Sequence, residues 1–136
     1  MGKKSRLKKE KRAMSEPARK ISEMVMEFAA DYINMGDTLE ERQSYLNSAC
    51  TAWNIAILDE QTRPVALEKY LDKYMALNPG ITDATNLKKD MLLLIQEKLR
   101  LFPEVKKLIA DAELKMVDGK HVVTVASMKI PLEKKI

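Results

Sequence analysis

A run of ten residues, Ala49–Cys50–Thr51–Ala52–Trp53–Asn54–Ile55–Ala56–Ile57–Leu58, constrains this chain more than any other stretch. Written on a helix it is apolar on nearly every side, and it holds the only Trp. A helix with so little polar surface needs neighbours around most of its circumference. The run therefore predicts the central helix of a small α-helical domain, and the rest of the chain has to surround it.

The flanking patterns supply that surround. Ser15–Glu16–Pro17 joins a capping hydroxyl, an acid and a first-turn proline, a helix start. Ile21, Met24, Val25, Phe28, Ala29 and Tyr32 follow at helical spacing, and Gly36 is expected to end this helix in the left-handed conformation. Thr38–Leu39–Glu40–Glu41 reads as a capping box opening the central helix, with Leu39, Leu46, Ala49, Cys50, Trp53, Ala56 and Ile57 turned inward. Thr62 and Pro64 start a third helix, with Leu67, Tyr70, Leu71 and Tyr74 inside, and Asn78–Pro79–Gly80 closes it. Thr82 or Asp83 caps a fourth, carrying Leu87, Met91, Leu94, Ile95 and Leu99. Leu92 and Leu93 broaden its apolar face and make it the second most buried element. Phe102–Pro103 breaks it, and Val105, Leu108 and Ile109 predict a short fifth helix from Glu104 to about Asp111.

Beyond this point the period changes. Leu114 and Met116 alternate with charged residues, Asp118–Gly119 follows, and His121–Val122–Val123–Thr124–Val125 is rich in β-branched residues. Asp-Gly between two such runs is a strong signal for a two-residue hairpin turn. The expected fold is mostly α: a bundle of about five helices with a C-terminal β-hairpin at about 113–126. It forms one domain over residues 15–130, preceded by a disordered basic arm, residues 1–14, and followed by a tail, residues 131–136. A lone hairpin is marginal in water, so it must pack on the helices or pair with another strand.

Several functional classes are disfavoured by what is missing. No apolar run approaches the roughly 18–20 residues that span a bilayer, and no apolar stretch follows the charged N-terminus as in a secretory signal. A single Cys fits a reducing, cytoplasmic setting. One Cys and one His cannot make a three- or four-ligand zinc site of Cys and His. Four Gly, none in a strand-to-helix turn, leave no phosphate-binding loop. Cys50 reads as a core thiol, His121 as a turn-flanking residue, and Glu23, Glu27 and Asp31 as a solvated acidic helix face. No cofactor is implied, and the inventory argues against an enzyme.

Charge is divided unevenly. The first twenty residues hold nine Lys or Arg against two Glu, whereas the whole chain nets only +4, so the body is mildly acidic. Lys3, Lys4, Arg6, Lys8, Lys9, Lys11 and Arg12 have no core to join and can meet phosphates. Tyr70 and Tyr74, one turn apart, offer a face for a partner. The pattern points to a small cytoplasmic binding protein. Its arm contacts RNA, a ribosome or DNA while its helical body docks a protein. The alternative is an interaction or scaffold module, homodimeric through the hairpin edge or the Tyr70/Tyr74 face, whose arm only solubilises.

Overall fold

A computed structural model of the protein describes residues 20–129. Among them are four helices, α1 (Ile21–Ile33), α2 (Leu39–Ile57), α3 (Arg63–Leu77) and α4 (Thr85–Leu101), then strands β1 (Lys107–Val117) and β2 (Lys120–Lys129). The fold is mostly α with a C-terminal antiparallel hairpin. The Ser15–Pro17 start, the basic arm and the C-terminal tail lie outside the described residues.

Helix α2 is the centre of the core. Leu46, Ala49, Ala52, Trp53 and Ala56 are fully buried along it, with Cys50, Ile55 and Ile57 nearly so. Trp53 is the largest fully buried side chain, and Phe28 meets it edge-on at 5.6 Å while Phe102 lies 5.9 Å away. Removing the indole from water contributes roughly 4–6 kcal/mol, taking about 25 cal/mol per Å² over a Trp-sized area. The helix opens on Thr38, whose Oγ1 accepts from Glu41 N at 3.0 Å, while the Glu41 carboxylate accepts from Asp37 N at 3.3 Å. The capping box is thus present with its return bond one residue upstream. Leu39, expected inside, is 44% exposed because that first turn projects beyond the bundle.

Gly36 does not adopt the left-handed conformation; among the described residues positive φ occurs only at Asp118 and Gly119. A Cβ at Gly36 would instead lie 3.0 Å from both N and Cγ of Arg42, whose Nε donates to Gly36 O at 2.8 Å. The glycine is there for close approach between the α1 exit and the α2 start. Helix α4 is narrower inside than expected. It buries Met91, Leu94, Ile95 and Lys98, while Leu92 and Leu93, turned away from that stripe, are 43% and 62% exposed.

The expected fifth helix is strand. β1 begins at Lys107, and the hairpin is longer than the pattern suggested. Val105, Leu108 and Ile109 fall at helical spacing only because that spacing runs across the strand's start, and a bulge between Ile109 and Asp111 further breaks the alternation of a strand. The extra residue puts Ile109 and Ala112, three positions apart, on the same buried face, a spacing that mimics a helix. The turn is as predicted: Val117 pairs with Lys120, and Asp118 and Gly119 both have positive φ, at 51° and 78°, as a type I′ turn requires.

Side chains of α2 hold the outer edge of β1. Asn54 Nδ2 donates to Ile109 O at 2.9 Å and its Oδ1 accepts from Ile109 N at 2.7 Å. Gln43 repeats this on Ala112 O and Leu114 N, at 3.0 and 2.7 Å. Trp53 Nε1 donates to Lys107 O at 2.9 Å. Two amide side chains three turns apart thus stand in for a neighbouring strand, which is how a hairpin too small to be stable alone is secured.

Candidate functional site

Helices α1 and α4 flank an open groove of about 390 Å³. On α1, Glu27 and Asp31 lie one turn apart and Met35 follows one turn later; on α4, Asp90 and Glu97 bracket Leu93 and Leu94. Buried Phe28 and Leu94 form the floor, and Met35 and Leu93, 64% and 62% exposed, stand at the mouth. Glu97 also pairs with Arg100 on its own helix, which lowers its carboxyl pKa. That pair is exposed, so it contributes little.

A tyrosine cluster adjoins the groove. Tyr32 lines it and packs against Tyr45 with the ring centroids 4.9 Å apart and the planes tilted by 55°. Burial, and then the nearby Asp90 carboxylate, push the Tyr32 phenol well above its ordinary range, with Tyr70, Tyr45 and Tyr74 adding to the same effect. All four tyrosines of the chain therefore converge, from α1, α2 and α3. Of the two expected to meet a partner, Tyr70 is half-buried, its hydroxyl sharing a 2.9 Å hydrogen bond with Ser48 Oγ. Tyr74 is half-buried beside it, ring centroids 6.1 Å apart. Tyr32, Tyr45 and the α4 acids escaped the sequence reading. The acidic row of α1 was visible, but nothing in the pattern said that α4, with Asp90 and Glu97, lies beside it.

Lys98 was missed too. It is fully buried, its Nζ donating to Phe102 O and Val105 O at 2.7 Å each and lying 4.9 Å from the Trp53 ring centroid. Burial, with the positive charges of Lys106 and Arg63, pushes its pKa down to about 8. Its place at i+7 from Met91, i+4 from Leu94 and i+3 from Ile95 was the available signal. Two carbonyls and an aromatic face take up the ammonium, so it ties the α4 exit to the core rather than meeting a substrate.

Elsewhere the chemistry is quiet. Cys50 is buried, and desolvation, then Asp111, raise its thiol to about 12. An Arg42 guanidinium N lies 2.7 Å from His121 Nε2; a guanidinium can only donate, so that nitrogen accepts. Among the described residues no group of three or more His, Cys, Asp or Glu is arranged to hold a metal. None of their buried side-chain N or O atoms lacks a hydrogen-bond partner. No helix among them is long and apolar enough to cross a membrane. Lys3, Lys4, Arg6, Lys8, Lys9, Lys11 and Arg12 lie outside the described residues. Comparison with known proteins finds no matching family model, no similar curated protein and no similar solved structure.

Proposed function

We propose that this is a small, non-enzymatic binding protein of the cytoplasm. Its helical body docks a cationic amphipathic segment of a protein partner in the α1–α4 groove, and its basic arm contacts nucleic acid. One observation carries the first part: four carboxylates ring an apolar trough whose Met35 and Leu93 stand mostly exposed. An exposed apolar trough is what a helix with Leu on one face and Lys beside it can cover. The tyrosine cluster beside it adds amphipathic contact area at low entropic cost. The arm's role is supported by the charge division alone, since cationic segments meet phosphates without needing a fold.

The groove is tested with a fluorescent Leu/Lys amphipathic peptide and its Leu/Glu counterpart, titrated against the full chain. The Lys peptide is expected to bind at micromolar concentration and to weaken with salt, and the Glu peptide not to bind. Asp31→Lys with Asp90→Lys should weaken the Lys peptide at least tenfold, about 1.4 kcal/mol, while circular dichroism stays unchanged. Undiminished binding by that variant would remove the groove from consideration.

A further inference from the structure

The hairpin treats its two outer edges differently. In an antiparallel pair, alternate residues aim N–H and C=O at the partner strand and the others aim them outward. The two-residue turn makes Val117 and Lys120 a bonded pair, so Lys115↔Val122 and Glu113↔Thr124 are bonded as well. The intervening residues face outward: Ala112, Leu114 and Met116 on β1, and His121, Val123, Val125 and Ser127 on β2. On β1, Gln43 takes Ala112 O and Leu114 N, and beyond the bulge Asn54 takes Ile109. On β2, no hydrogen bond among the described residues reaches the outward groups.

The usual protections of an edge are also missing from β2. It has no Pro, no Gly and no acidic residue, its two Lys stand at its ends, and four β-branched residues, Val122 to Val125, occupy its middle. The register shift of the hairpin falls in β1. Helix α1 packs against β2, yet among the described residues the outward main-chain groups of His121, Val123, Val125 and Ser127 have no hydrogen-bond partner, so this edge is a template for another strand.

We propose that β2 pairs edge to edge with β2 of a second copy of this chain, antiparallel about a two-fold axis, to give a four-stranded sheet. The occupant follows from self-complementarity. Outward residues must face outward residues, so the axis passes through a single position. With Thr124 on the axis, Val123 faces Val125 of the second copy, His121 faces Ser127, Val122 faces Ala126 and Lys120 faces Met128. No charge meets a like charge, and the half-exposed Val122 and Met128 each gain a cross-strand neighbour. Four bonded pairs provide about eight main-chain hydrogen bonds. One strand edge falls short of the roughly 1,200 Å² of a standard interface, so the dimer is weak and concentration-dependent.

Sedimentation velocity of the full chain from about 5 to 300 µM tests this, spanning the weak end of ordinary association. The expected result is monomer at the low end and a substantial dimer fraction at the high end. Thr124→Lys and Thr124→Glu alter an exposed side chain. Each should be monomeric throughout, because identical charges meet on the axis, and an equimolar mixture should recover the dimer. Unchanged circular dichroism shows that the variants fold. A wild-type chain that stays monomeric overturns the proposal. So do single variants that dimerise like the wild type, or a mixture that fails to recover the dimer.

Discussion

Lys98 shows how one residue can carry a fold and stay hidden in the sequence. A lysine reads as solvent-facing, yet this one continues the buried stripe of Met91, Leu94 and Ile95. It is tolerated because its ammonium donates to Phe102 O, which also accepts from Val105 N, and to Val105 O, and because the Trp53 face accepts a cation. Its pKa falls from 10.5 unfolded to about 8 folded. Between those values the unfolded chain holds a proton that the folded chain has released, so stability rises with pH from about 8 upward. Cys50 acts oppositely: its thiol goes from 9.0 unfolded to about 12 folded, so above about 9 ionisation favours the unfolded state. Unfolding free energy should therefore climb between pH 8 and 9 by up to about 1.4 kcal/mol and then level off. Lys98→Met should cost about 1–3 kcal/mol at pH 7 by taking the ammonium donor from Val105 O and leaving Phe102 O only its bond from Val105 N, and should abolish the climb. Urea titrations of both proteins at pH 7, 8 and 9 check this; a parallel rise in the variant would mean that another group is responsible.

At the scale of elements, legibility depended on whether the signal was local. The hairpin turn was readable because positive φ at two successive residues selects Asp-Gly. The first half of β1 was not, because Val105, Leu108 and Ile109 fall at helical spacing across the strand's start and the bulge that follows breaks the period of two. Gln43 and Asn54, eleven residues apart, share one face of α2, but their purpose appears only when a strand lies beside them. That gives a paired prediction. Asn54→Ala should destabilise by about 2–3 kcal/mol, leaving both main-chain groups of Ile109 unsatisfied in a partly buried place. Gln43→Ala should cost a similar amount, since its bonds to Ala112 O and Leu114 N are part-buried in the same way. Amide exchange separates the two. Ile109 N–H should speed up in the first variant with Leu114 little changed, and the reverse should hold in the second. Equal loss of protection at both sites in either variant would show that the hairpin detaches as one unit.

The whole molecule is organised by its division of charge, and here the sequence was most direct about composition and least about geometry. Trp53 at the centre and a mildly acidic body followed from the pattern. That the α1 and α4 acids share one groove did not, because helix adjacency is set by tertiary packing. The division also decides what the arm can do. Deleting residues 1–14 removes seven basic residues and one acid and turns a net charge of +4 negative. A net-negative body is repelled by phosphates, so RNA affinity should be lost outright rather than reduced. For the intact chain, if all seven cations engage, the logarithm of affinity should fall with that of salt with a slope of about −5 to −6, at roughly 0.7–0.9 per contact. Filter binding to a single-stranded RNA from about 50 to 300 mM salt measures that slope. The thermal melting of the truncated chain should match that of the intact one, since the deletion begins and ends upstream of α1. A shallow slope, or retention by the truncated chain, would reduce the arm to a solubilising segment and leave the groove as the chain's binding surface.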